Sequence, residues 1–420
     1  MPETTVRPRT GRLRTAAHRI DAATAPERDR ALDALRALAI LGVVLGHWLV
    51  TALVVDTGTL QVASPLHYLP ELAPVSWAFQ TLAVFFLVGG LVAARSLRTA
   101  RTRGTPYRHW LTARLARLFR PVAVLLTVWA VAGAALLAGG VSPETVHTLV
   151  KLAVSPLWFL LVFAALTAAT PLLARLHPAW PLALVTLVDL ARFQLGAPEQ
   201  LGYLNELAGW SVPYCLGAAW AGGRGRQAAH PGDRRADRRT DRRTAWALLL
   251  GGAAATAALI RWGGYPAAMV GVPGAAVSNL GPLTLAAVTF GLAQCGAALL
   301  LLGPLRRAMR RPAAWAAVAL VNLFAMTVFL WHQTAMMAVS ALGLLTDGTA
   351  ADGPLPGLHT LPDGPGWILT RLLWLPLFAL ALLACWAAFH THERPSPTRK
   401  SDPAPHPEAV KWILTNGGIR

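Results

Sequence analysis

The sequence is short of charge. Only 14% of its 420 residues are Asp, Glu, Lys or Arg, whereas soluble domains carry about 25%. A soluble fold of this length would lack the charge to cover its surface. Acidic residues are the scarcer sign, 20 against 38 basic, for a formal net charge of +18. Cysteine is scarce too: Cys215, Cys295 and Cys385 all fall in apolar segments. That excludes a disulfide framework and reads as buried, inert thiols. No CxxC or HxxxH spacing occurs and the histidines within apolar segments are isolated, so no metal cluster is expected. What is abundant is apolar, 55% hydrophobic with a mean hydropathy of +0.46. A soluble enzyme, a secreted disulfide scaffold and a nucleic-acid-binding domain are excluded, the last despite the basic balance.

The apolar residues gather into runs of about 20, the length that crosses a bilayer as a helix. Ten such segments are predicted, over 34–55, 75–94, 118–138, 156–174, 179–195, 207–223, 245–261, 281–303, 314–342 and 367–390. Continuous apolar runs of this length favour helices over a barrel, because each helix satisfies its own backbone in lipid. The fifth and sixth are short and the ninth is long, so tilt or partial burial is expected. The fold class is therefore all-α, a polytopic membrane protein of about ten transmembrane helices.

Placing the N-terminus inside puts 34 of the 38 basic residues on the inner side, leaving Lys151, Arg192, Arg261 and Arg371 outside. Positive charge stays cytoplasmic in membrane proteins. A multi-pass cell-membrane protein with both termini cytoplasmic is the expectation. The first apolar run follows about 33 residues of basic chain, too long for the n-region of a signal peptide, and reads as a retained helix. Residues 1–30 and the proline-rich 394–420 read as disordered cytosolic tails around a membrane domain over 31–393. DRRADRRTDRR at 233–243 reads as a solvated loop that helps enforce topology. The GGRGR at 222–226 follows no strand and is no phosphate loop. Residues 262–280, WGGYPAAMVGVPGAAVSNL, are too rich in glycine and proline for a helix and too apolar to float in water. They are expected to form a lid or re-entrant piece over a cavity. The loop at 343–366 reads as solvated.

Polar residues within spans are costly and mark functional candidates. In the first span, Arg36 and His47 are eleven residues apart. They lie within about 20° on one helical face and roughly 16 Å apart along the axis. Arg36 alone also suits an interface anchor, and His47 a satisfied interhelical hydrogen bond. Asp33 shares their side of the helix. His332, in VFLWH, is expected at a depth similar to His47, in the outer half. Asp189 precedes Arg192 by one turn and reads first as a self-neutralised pair, alternatively as a carboxylate orienting an imidazole. Arg114, Arg117 and Arg120 form a stripe at the inner surface. They either enforce topology or bind a phosphate-rich cytosolic ligand.

Arg36, ten intervening residues and His47, within LDALRALAILGVVLGHW, resemble the signature of the membrane acyltransferase-3 family. VFFLVGG at 84–90, Arg114 with Arg117, LWFLLVF at 157–163 and FLWH at 329–332 resemble further landmarks in the right order, over roughly 28–393. One departure stands out. The family pattern has proline three residues after the second arginine, where this chain has Arg120 followed by Pro121. Which two of the three arginines correspond stays open. The resemblance implies transfer of an acyl group, often acetyl, from cytosolic acyl-CoA to a hydroxyl of a carbohydrate or other small acceptor. It implies no bound cofactor: acyl-CoA is a co-substrate, and membrane lipid is the surrounding partner. Arg36 and His47 would carry catalysis, with His47 as general base or as an acyl-histidine nucleophile. Arg114, Arg117 and Arg120 would bind the donor, and Asp33, Asp189 and His332 would support the site. N-acylation stays open, as does a different class: a proton-coupled transporter or flippase relaying through His47, Asp189 and His332.

Overall fold

The computed structural model describes residues 9–56, 59–223, 231–347 and 355–393. The chain begins with α1 (Arg9–Ala22) and α2 (Arg30–Val50), then an antiparallel hairpin of β1 (Ala52–Asp56) and β2 (Thr59–Ala63). Two single turns follow, α3 (Pro65–Tyr68) and α4 (Ala73–Ser76), leading into α5 (Leu82–Thr102) and α6 (Tyr107–Ala138). Next come α7 (Pro143–Val154), α8 (Leu157–Ala168), α9 (Thr170–Leu173), α10 (Ala179–Gln194), α11 (Leu204–Gly223) and α12 (Pro231–Trp262). The chain ends with α13 (Leu285–Ala308), α14 (Pro312–Leu323), α15 (Ala325–Asp347) and α16 (Pro365–Phe389).

Each of the ten expected segments falls on one of these helices or on a consecutive pair. Among the described residues, 8 stretches are long and apolar enough to span: α2, α5, α6, α7 with α8, α12 from Asp241, α13, α15 to Gly343, and α16. The protein is an all-α polytopic membrane protein. The remaining two segments became α10 and α11. At 16 residues α10 is about 24 Å long, short of a hydrocarbon core of about 30 Å. The 20 residues of α11 include Asn205, Glu206 and an internal Pro213.

Several boundaries differ from the sequence expectation, each for a physical reason. The first span stops at Val50, because the β-branched run after it pairs as a hairpin, Leu53 opposite Val62. The second lies over 82–102 rather than 75–94, since Arg95, Arg98 and Arg101 continue the helix at the membrane edge. The ninth is broken between α14 and α15 at Phe324. The N-terminal segment expected to be a disordered tail contains α1. Ile20 of α1 packs against a small cluster centred on Met309 and Trp315, and Trp315 Nε1 donates to Thr24 Oγ1 at 2.7 Å. The loop at 343–366 is not simply solvated. Leu358 and His359 are buried, with His359 Nε2 2.9 Å from Ser340 O. Residues 1–8, 224–230 and 394–420 lie outside the described residues. So do the side chains through 240 of the DRRADRRTDRR segment, whose backbone opens α12.

Small residues set the closest approaches. A Cβ on Gly90 of α5 would collide with the Tyr214 carbonyl of α11, and one on Gly217 with the Leu87 carbonyl. The two helices therefore cross back to back, as small-residue stripes allow in membranes. In α2, Gly42 and Gly46 make the same kind of groove. The chain at Phe79–Thr81 lies in it, and Thr81 Oγ1 donates to Ala39 O at 2.6 Å.

Candidate active site

One stripe of α2 runs along two cavities. Arg36 and Ile40 line a cavity of about 270 Å³, and Val43, Gly46, His47 and Val50 line another of about 400 Å³. These spacings keep to one helical face, which is why an arginine and a histidine eleven residues apart serve neighbouring chambers.

The first chamber is cationic. Arg36 is fixed by Asn322 of α14, whose Oδ1 accepts from Nε at 2.5 Å. Asn322 Nδ2 in turn donates to Asp33 O at 2.7 Å and Val318 O at 3.0 Å. Asp33 holds Arg28 at 2.6 Å and Arg36 at 3.8 Å, so it steadies this entrance and has no part near the imidazoles. Arg114 lines the same chamber and lies over the Trp110 ring, 5.0 Å from its centroid. Arg117 and Arg120 are on the same helix and line neither cavity. The basic ends of other helices gather here too: Asp29 contacts Arg95 at 3.9 Å and Arg306 at 3.8 Å.

The second chamber holds the imidazoles. The rings of His47 and His332 lie 5.1 Å apart. His332 is fully buried and locked from both sides, Nδ1–H donating to Phe329 O at 2.6 Å and its carbonyl accepting from Trp48 Nε1 at 2.9 Å. With the proton on Nδ1, the neutral ring presents a bare Nε2, which has no partner among the described residues. Gln333 was missed by sequence reasoning: a glutamine in an apolar helix carries no pattern. Its amide nitrogen Nε2 lies 3.0 Å from His47 Nδ1, and its Oε1 has no partner among the described residues. A half-turn of the amide that exchanges its O and N gives the orphan Oε1 a partner in His47 Nδ1–H, and in that arrangement His47 Nε2 is left free to accept a proton.

Arg371 was also missed, counted in the sequence only as an exception to the charge rule. It is 1% exposed. Nε donates to Trp48 O at 2.7 Å, Nη2 to Thr51 O at 2.6 Å and Nη1 to Gly357 O at 3.1 Å. The guanidinium thus caps the carbonyl end of α2, where a cation is favoured, and fixes the turn that carries His47.

Asp189 is not brought to the imidazoles. Its carboxylate accepts from Asn205 Nδ2 at 2.8 Å, Tyr265 O–H at 2.9 Å and Leu285 N–H at 2.7 Å, with Arg192 3.7 Å away. It anchors the 262–280 loop. Burial, and then the adjacent carboxylate, push the Tyr265 phenol well above the ordinary tyrosine range, so it remains a donor. Asn279, fully buried, staples the loop through Pro266 O and Ala268 O, while its Oδ1 accepts from Thr284 Oγ1. The expected lid is there: Val270, Gly271, Pro273 and Ser278 line the His47 chamber.

The chain matches the acyltransferase-3 family model, described as an acyltransferase domain, over residues 29–390. It belongs to the acyltransferase-3 family. No curated protein and no solved structure matches it. In this membrane acyltransferase the sequence landmarks converge on one place. Phe85 and Phe86 pack their rings 5.0 Å from Phe159, and Phe159 lies 5.4 Å from Phe329, one turn before His332.

Proposed function

We propose that this acyltransferase moves a short acyl group, acetyl in the first instance, from cytosolic acyl-CoA to an uncharged hydroxyl-bearing acceptor such as a glycoside. The observation that carries this reading is the shared α2 stripe, with guanidinium groups in one chamber and the His47 imidazole in the next. Arg36 and Arg114 receive phosphate oxygens of the donor, for which guanidinium forks are well matched. The pantetheine arm extends along α2 and carries the thioester to His47. His47 Nε2 takes the proton of the acceptor hydroxyl as its oxygen attacks the thioester carbonyl. Collapse of the tetrahedral intermediate releases the CoA thiolate, which that proton neutralises.

The His47 chamber favours a hydroxyl over a charged nucleophile. Its polar lining is Thr51, Ser76, Gln80, Ser155, Ser278 and Gln333, with no Asp, Glu, Lys or Arg among the described lining residues. An ammonium or carboxylate would lose its hydration there without a counter-charge. A proton relay through His47, Asp189 and His332 has no comparable support, since the Asp189 carboxylate is engaged with Asn205, Tyr265 and Leu285.

The test is release of CoA thiol by the purified protein from acetyl-CoA, with a panel of neutral glycosides and small alcohols. Acceptor-dependent release is expected, and His47→Ala should lower it by about 10²–10⁴-fold, the range of a general base. Retained turnover in His47→Ala overturns the base assignment. Absence of acetyl-CoA binding overturns the donor.

A further inference from the structure

The two chambers share two lining residues, Phe159 and Phe329, and no others. Their rings lie 5.4 Å apart and tilted by 52°, with 3% and 6% of their surface exposed. A chain running from Arg36 and Arg114 to His47 has α2 on one side and must pass these rings on the other. We propose that Phe159 and Phe329 form an aromatic partition that keeps the donor thioester from His47 until an acceptor is seated, and so decide between transfer and loss to water. The proposal rests on the acyl-CoA reading above.

Both rings hang from helix starts that follow a break. Phe159 is the third residue of α8, just past the Ser155–Pro156 interruption, and Phe329 is the fifth of α15, just past Phe324. Phe159 sits in the first turn of α8, where amides lack intrahelical partners and the turn moves at lower cost than a helix interior, whereas the Phe329 turn is tied back across its break by Val328 N–H, which donates to Phe324 O at 2.9 Å. The Phe329 turn is coupled to the site, because its carbonyl accepts from His332 Nδ1. Phe159 is backed by Phe85 and Phe163, which line the Arg36 chamber. Displacement of the Phe159 ring therefore opens the passage, while the Phe329 carbonyl ties the opposite side of the partition to His332.

The need for a partition follows from the chemistry. Water is also a nucleophile. If the thioester reaches His47 with no acceptor present, a water oxygen attacks the carbonyl and His47 takes its proton. The C–S bond then breaks, and the proton leaves with the CoA thiol, giving a free carboxylic acid and CoA. Small side chains at the partition should raise this wasteful release.

The experiment uses the full chain in detergent with acetyl-CoA and no acceptor, and follows free thiol. Phe159→Ala and Phe329→Ala are each expected to raise acceptor-independent release at least tenfold over wild type. Adding His47→Ala should return it to background. Phe159→Leu and Phe329→Leu, which keep apolar bulk without the ring, serve if the alanine variants fail to fold; a rise of about threefold is expected. Unchanged release from variants that bind radiolabelled acetyl-CoA like wild type overturns the partition, as does increased release that survives His47→Ala. Failure of wild type to bind acetyl-CoA overturns the donor reading, and the partition with it.

Discussion

At the residue scale, the proposed mechanism depends on how His47 is held. A general base works only in the correct tautomer, and in the familiar triads a buried carboxylate enforces it. Here the neighbour of Nδ1 is a neutral amide, Gln333, at 3.0 Å. Gln333→Leu removes this polar contact from Nδ1 and leaves the ring free to adopt either tautomer. We expect turnover to fall by about 10–100-fold while apparent affinity for acetyl-CoA stays within twofold, because Gln333 does not line the Arg36 chamber. Steady-state kinetics with separate donor and acceptor titrations check this. Arg371 acts on the same turn through the backbone. Arg371→Leu strips three carbonyls of a buried donor, and should cost on the order of 3 kcal/mol of stability, read as a lower melting temperature in detergent. Both residues escaped sequence reasoning for the same reason. Gln333 and Arg371 matter through contacts across about 290 and 320 positions of chain, and no local period encodes such a contact. Arg36 and His47, by contrast, share one helix, so their spacing alone gave their common face.

At the element scale, the loop between α12 and α13 shows how a sequence can announce a role without its means. Its composition, apolar yet unfit for a helix, gave a cover over a cavity. What holds that cover down was not readable. Asp189 is the anchor: the sequence suggested a local pair with Arg192 or a carboxylate orienting an imidazole, whereas the carboxylate gathers Tyr265, Asn205 and the first amide of α13. Asn279→Ala removes three well-made hydrogen bonds from a fully buried position. The loop should loosen over the His47 chamber, raising the acceptor KM severalfold and leaving the donor KM unchanged. Hydrogen exchange over 262–284 should rise in parallel, and exchange confined to wild-type levels would return Asn279 to a passive role. The hairpin after α2 was illegible for a different reason. Its apolar, β-branched residues extend the hydrophobic run of the preceding helix, and hydropathy cannot tell a strand pair from one more helical turn.

At the scale of the whole molecule, the two chambers give the protein a direction. The Arg36 end carries the arginines at the close of α5, the start of α6 and the close of α13, while the His47 end carries the hairpin and the 262–280 cover. Positive charge concentrated at one end is the strongest determinant of orientation in a membrane, so the Arg36 end should face the cytosol, the side of the proposed acyl-CoA donor. On the proposed mechanism, that orientation makes donor and acceptor approach from opposite sides. It also makes the aromatic pair between the chambers a seal across the membrane, because an open passage joining them would be a leak. Single cysteines test the orientation directly. Thr102 and Glu144 are both exposed, the first at the arginine-rich end of α5 and the second at the start of α7, whose preceding cap residue Ser142 lies near β2 through Thr145. In intact cells a membrane-impermeant maleimide should label Glu144→Cys at once and Thr102→Cys only after permeabilisation. The reverse pattern would put His47 on the donor's side of the bilayer, and the acceptor would then have to be cytosolic as well.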